Sequence, residues 1–274
     1  MNAIYGISTA LVEGLAAEPA LEAIAAAGFR QVELLGDANH LDSWPSHPAQ
    51  TRRLLERMGL TVRTVHSPSA GWNNGDLDEA ARHASVEIAA ASFGQAAELG
   101  AEIVICHANG PNTPFTAETF RANFERARES LSILAERAKS AGVKMAVENL
   151  PSRGLPRPSA RMAEVLQLIE GLGDHVGVCL DTGHSTANGL SAAAEALEAG
   201  DKLLALHIQD NPVGNEDLHY LPGRGATDWD AFLAALERMA FAGVRTFEIS
   251  ARDGWQPTLA ALAELRRHWE GRNA

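Results

Sequence analysis

Cysteine is scarce in this chain: 274 residues carry only Cys106 and Cys179. Each sits in an apolar run, which excludes a disulfide scaffold and predicts a reduced, cytoplasmic protein. Long apolar runs are missing as well. None approaches the roughly 18 residues of a membrane span, and Met1 to Leu11 lacks the basic start and apolar core of a signal peptide. No membrane partner is therefore expected. Positive charge is also thin, with 23 Lys and Arg against 35 Asp and Glu, a net charge of −12. That balance disfavours a surface for nucleic-acid phosphates, which needs clustered cations. No Gly-rich dinucleotide fingerprint follows the first strand-like run, which argues against a doubly wound open sheet. No linker, low-complexity segment or charge block interrupts the pattern, so residues 1–274 read as one domain.

What the sequence does contain is a regular alternation. Hydrophobic residues make up 46%, enough for a large core. Strand-like runs fall at Ala3–Ser8, Gln31–Leu35, Val62–His66, Ile103–His107, Val143–Glu148, Val176–Asp181, Leu203–Gln209 and Val244–Ile249. Helix-like segments fall at Pro19–Ala27, Pro48–Met58, Leu77–Leu99, Ala117–Ala141, Ala160–Ile169, Ala192–Ala199, Trp229–Phe241 and Thr258–Trp269. Alternating strands and helices argue a parallel sheet, and eight repeats argue closure into a (β/α)8 TIM barrel. Glycine follows five of the helices, at Gly28, Gly59, Gly100, Gly142 and Gly243. Each is expected to be a left-handed helix stop that feeds the next strand.

The chemistry gathers at the strand ends. Successive runs end in His66, His107, Glu148 and Asp181, with His184 just beyond, then reach His207 and Glu248. In a barrel the reacting groups come from the C-terminal ends of different strands. Alternation predicts their direction. Val143, Met145 and Val147 face the outer helices, so Ala146 and Glu148 face the axis. Val176, Val178 and Leu180 face out and Asp181 in. Leu204, Leu206 and Ile208 face out, Ala205 and His207 in. A single strand-end carboxylate is more often a helix cap. Two Glu, one Asp and one His on four strands cannot all be caps, and carboxylates buried together repel without a cation. Mixed carboxylate and imidazole donors suit Mn²⁺, Mg²⁺, Co²⁺ or Zn²⁺.

The segments Val147-Glu148-Asn149, Leu180-Asp181-Thr182-Gly183-His184, Leu206-His207-Ile208-Gln209-Asp210-Asn211, His219–Trp229 and Phe247-Glu248-Ile249-Ser250 resemble the xylose isomerase-like barrel superfamily. Within it they look most like the sugar phosphate isomerase/epimerase group of ketose 3-epimerases, hydroxypyruvate isomerase and inosose dehydratase. The resemblance implies that Glu148, Asp181, His207 and Glu248 hold the metal, with Glu148 and Glu248 also acting as acid and base. It places His184 against substrate. It implies proton transfer through a cis-enediolate, giving an epimer or an isomer of a small sugar or polyol. Endonuclease IV is similar too and binds three zinc ions. Its further ligands would fall on His66, His107, His184, Asp217 and His219, which allows Asp217 and His219 to hold an additional metal. The epimerases carry an Arg shortly after the strand-seven His. Pro212 and Val213 stand there instead, and Arg224 in the Pro-Gly-Arg-Gly turn is the candidate replacement.

Other positions keep two readings. His66, His107 and Trp72 are taken as substrate contacts. Trp44, Trp72 and Trp255 could wall off a sugar ring or simply pack loops. Trp229 and Trp269 read as core. Glu33 could contact substrate, cap a helix or serve a loop. Asn109, Asn149 and Asn211 could position ligands or make turns. Arg153–Arg157 reads as a solvated loop in preference to a phosphate site. The competing functions are a dehydratase of the inosose or dehydroshikimate type, an endonuclease IV-like phosphodiesterase and a sugar-binding barrel without catalysis. A homo-oligomer is compatible with the resemblance.

Overall fold

Short aliphatic runs, apolar on both faces, are what a parallel strand needs when helices cover one face and a barrel interior the other. Val176–Asp181 is buried along its whole length. The computed structural model describes residues 3–36, 43–69, 71–110, 115–214 and 216–271. Eight parallel strands close into a barrel: β1 (Ile4–Ser8), β2 (Gln31–Leu35), β3 (Thr61–His66), β4 (Ile103–His107), β5 (Lys144–Glu148), β6 (Val176–Asp181), β7 (Leu203–Ile208) and β8 (Val244–Phe247). β1 pairs with both β2 and β8, so the sheet has no free edge. The helices are α1 (Ala17–Ala26), α2 (Ser43–Ser46), α3 (Pro48–Arg57), α4 (Glu79–Leu99), α5 (Phe120–Ala141), α6 (Met162–Ile169), α7 (Thr182–Ala187), α8 (Ala192–Ala199), α9 (Trp229–Arg238) and α10 (Trp255–Gly271). The (β/α)8 fold expected from the alternation is the fold observed. None of the described helices is long and apolar enough to cross a membrane.

Two apolar layers result. Ile103, Ile105, Ala146, Cys179 and Ala205 fill the barrel interior. Val104, Cys106, Met145, Val147, Val178, Leu180 and Leu206 face outward and pack with helix residues such as Phe93, Leu131, Leu134 and Leu236. The inside–outside parity expected for β5 and β6 therefore holds. On β7 it holds from Ala205 onward but fails at Leu204, which packs against the interior cluster. The register slips there, with Leu203 opposite Val178 and Ala205 opposite Cys179. The extra residue rotates Leu204 inward, as a bulge does.

The glycine expectation also divides. Gly28, Gly59, Gly100 and Gly142 have positive φ. Gly243 does not belong with them. After α9 the left-handed residue is Ala240, at φ 51°. A Cβ on Gly243 would lie 2.5 Å from the Leu204 carbonyl oxygen and 2.4 Å from the Phe241 ring, so this glycine serves close approach.

Helices α2 and α7 were not anticipated. In α2, Trp44 is fully buried and its Nε1–H donates to the Leu35 carbonyl at 3.0 Å. It belongs to the core rather than to a substrate wall. In α7 every residue is buried, and the helix is capped by Asp181, whose Oδ1 accepts the His184 backbone N–H at 2.7 Å. A strand end and a helix start thus share one residue, and His184 is drawn down beside the barrel axis.

Candidate metal centre and active site

The C-terminal ends of β3 to β8 bring their polar side chains to one place. Donor atoms of Glu148, Asp181, His207 and Glu248 lie within 4.8 Å of one another. So do those of His66, His107 and Glu148, and those of His184, Asp217 and His219. Three of the four strand-derived residues in the first group end β5, β6 or lie in β7. Glu248 follows β8 by one residue, and its N–H donates to the Ile208 carbonyl at 3.2 Å.

Backbone partners fix which histidine nitrogens carry protons. His66 Nδ1–H donates to the Ser67 carbonyl at 2.6 Å. His184 Nδ1–H donates to the Asn149 carbonyl at 2.9 Å, and His219 Nδ1–H to the Glu248 carbonyl at 2.9 Å. A carbonyl cannot donate, so each neutral ring presents the Nε2 lone pair on its other side. For His66 that lone pair meets His107 Nε2 at 3.1 Å and Glu148 Oε2 at 3.3 Å. For His184 and His219 it meets Asp217 Oδ1 at 3.4 Å and 3.1 Å. His207 is reversed. Its Nε2 faces Glu33 Oε1 at 2.9 Å, and its Nδ1 faces Glu148 Oε1 at 2.9 Å and Glu248 Oε2 at 3.0 Å. Lone pairs and carboxylates pointing at common centres repel unless a cation, either protons or a metal, lies among them. The donor set fits a divalent metal ion.

The acid–base properties reflect how closely these groups are packed. Burial opposes charging His184 and His219, yet the carboxylates of Asp181 and Asp217 lift His184 to about 9, and Asp217 lifts His219 to about 10. Burial opposes ionising Glu148, but His207, His107 and His66 outweigh it and hold its carboxyl well below the usual range. Glu248 falls to about 2, because His207 outweighs burial. Burial pushes Asp181 up to about 6. The surroundings are tied down. Gln209 Nε2 donates to Asp181 at 3.1 Å and to Asp217 at 3.3 Å. Asn149 Oδ1 accepts the Asp181 N–H at 2.7 Å, and Asn211 Oδ1 accepts the Leu218 N–H at 2.7 Å. Both asparagines thus hold backbone next to candidate ligands.

The other candidates lie elsewhere. Arg224 is exposed and pairs with Asp253 at 2.9 Å. Trp72 is half-buried after β3. Trp255 packs against the outer layer, as do Trp229 and Trp269. Arg157 departs from the solvated loop expected of Arg153–Arg157. It is buried, stacks over the Phe115 ring at 5.4 Å, and donates to the carbonyls of Pro151 and Gly110. Burial pushes Arg157 down to about 10. Glu33 makes neither a cap nor a surface loop. It is wholly buried and bonded to His207 and to Thr246, whose Oγ1–H donates to it at 3.3 Å. A carboxylate in the inward register of β2 was the one available signal for this role.

A profile of the xylose isomerase-like TIM barrel family matches residues 21–270. The chain belongs to that family. Solved structures that share the fold include sugar epimerases. A D-tagatose 3-epimerase-like protein superposes with a TM-score of 0.83 at 22% identity, over 100% of this chain and 99% of that one. A 3-dehydroshikimate dehydratase of Pseudomonas putida is 27% identical over 252 residues, 89% of this chain and 37% of that protein. A probable endonuclease 4 of Chlorobium luteolum is 29% identical over 189 residues, 63% of this chain and 66% of that protein.

Proposed function

We propose that this family member is a divalent-metal-dependent isomerase or epimerase of a small sugar or sugar phosphate, working through a cis-enediolate. One observation carries the reading: Glu148 and Glu248 approach His207 Nδ1 from two strands, at 2.9 Å and 3.0 Å, with Asp181 beside them. Glu148, Asp181, His207 and Glu248 would hold the metal. A divalent ion held by these residues would supply positive charge that acidifies a carbon beside the substrate carbonyl and stabilises the developing oxyanion. Glu148 then takes a proton from that carbon. Glu248 returns one to the opposite face to give an epimer, or to the neighbouring carbon to give an isomer. Burial of the groups keeps water from competing for the proton.

Proton NMR in D₂O tests this, using Mn²⁺-free, Mg²⁺- or Zn²⁺-loaded protein with ketoses, hydroxypyruvate and inososes. Loss of one carbon-bound proton signal, abolished by chelator, is expected. Loss of water from the substrate instead assigns a dehydratase, the activity named for the Pseudomonas putida relative. No exchange across the panel sinks the reading.

A second reading is favoured by the two further groups. With ions held at His66–His107–Glu148 and at His184–Asp217–His219 as well, Glu148 would belong to two groups of donors, and its carboxylate would be a weaker base toward carbon. Such a site suits phosphodiester hydrolysis, and the endonuclease 4 relative points the same way. Counting metal per chain, with a cleavage assay on abasic duplex, separates the two.

A further inference from the structure

Glu33 crosses the barrel. It sits on β2, yet both its partners belong to β7 and β8, where His207 and Thr246 face each other in register. Oε1 accepts from His207 Nε2 at 2.9 Å and Oε2 from Thr246 Oγ1 at 3.3 Å. Glu33 and His207 are both wholly buried, so no water competes for these bonds. With Oε1 as the acceptor in this pair, the proton lies on His207 Nε2. The lone pair of the neutral ring is then on Nδ1, the atom that faces Glu148 and Glu248. Without Glu33 the opposite tautomer gains the advantage. Its Nδ1–H would donate to Glu148 or Glu248 and occupy the position a metal needs.

We propose that Glu33 is a positioning residue that fixes the His207 tautomer and keeps Nδ1 open to a divalent cation shared with Glu148, Asp181 and Glu248. The inference rests on the metal reading given above. It extends it to a residue outside the three groups of convergent donor atoms. Carboxylate partners of ligating histidines act in this way on the metal as well, by raising the basicity of the ring.

The test is a Zn²⁺ titration of ¹⁵N-histidine-labelled protein, with affinity taken from chelator competition and protonation from the His207 ring nitrogen shifts. Wild-type protein is expected to bind Zn²⁺ through Nδ1 with Nε2 protonated. Glu33→Ala is expected to weaken Zn²⁺ about 10- to 100-fold and to mix the two ring-nitrogen states. Glu33→Gln keeps an acceptor oxygen, so Nδ1 ligation should survive with a much smaller loss. Glu33→Met, similar in volume and without an acceptor, replaces the Ala variant if that one fails to fold. A loss in affinity without any change at the ring nitrogens would mean a merely structural role and overturn the proposal. So would an Ala or Met variant that binds as tightly as wild type. Wild-type protein that takes up no Zn²⁺ overturns the metal reading and the inference together.

Discussion

The two mouths of the barrel use carboxylates to opposite effect. At the N-terminal mouth Arg63 of β3 pairs with Glu102 at 2.7 Å, and Lys144 and Asp201 share a cleft of about 410 Å³ with Leu204 and Phe241. The Glu102 side chain there is 56% exposed. At the other mouth the same strands end in His66, His107 and Glu148, and the Glu148 side chain is 1% exposed. Below, opposite charges meet in water, which contributes little and costs little. Above, acceptors face acceptors out of water, which is costly unless a cation joins them. Convergent burial, and not charge alone, distinguishes the candidate site from the opposite mouth.

The sharpest break in that comparison is Glu148→Gln. Proton exchange on the responsive ketose should fall by about 10²- to 10⁴-fold, the usual range for a lost acid–base group, read as the rate of signal loss in D₂O. The same change in Glu102 should leave exchange untouched. Next in size is removal of metal. At a free metal concentration of about 100 times Kd, binding adds about 2.7 kcal/mol, so thermal melts after chelation should show a clear drop in Tm. An unchanged Tm would mean the upper mouth needs no ion.

Alkaline pH should act mainly on the metal-free protein. His184 and His219 are raised above the ordinary histidine value, to about 9 and about 10. Their contribution is complete below about 6.5 and is lost as pH rises through those folded-state values. Metal-free protein should therefore melt lower at pH 10 than at pH 7. Loaded protein, whose histidines are held neutral by metal, should change less. The smallest effect belongs to the lower mouth. Arg63→Ala should cost about 1 kcal/mol or less in a urea melt and nothing in proton exchange. A cost rivalling that of Glu148→Gln would erase the contrast between the two ends.

Strand parity made much of this legible. On β5 and β6 a period of two placed Glu148 and Asp181 at the axis, because both outer and inner layers are apolar and every second residue is forced. The illegible parts have local causes. Leu204 turned inward because a register slip between neighbouring strands leaves no mark in composition. Helix α7 escaped notice because Thr182–Ala187 is short and its cap, Asp181, already had a reading as a ligand. Glu33 kept three readings because its partners are 174 and 213 residues away in sequence. The ambiguity of His66, His107 and His184 between substrate and metal has another source. Motifs supply residue types, whereas tautomers depend on which backbone carbonyl lies behind each ring.

Asp181 caps α7 and also belongs to the candidate metal group. Asn caps a helix about as well as Asp. Exchange of one carboxylate oxygen for an amide nitrogen would thus spare the helix while removing a negative ligand. That loss would reach folding only through the stability that a bound ion lends. A chain altered in this way would keep its barrel and its helix cap, and a single atom would separate it from its parent.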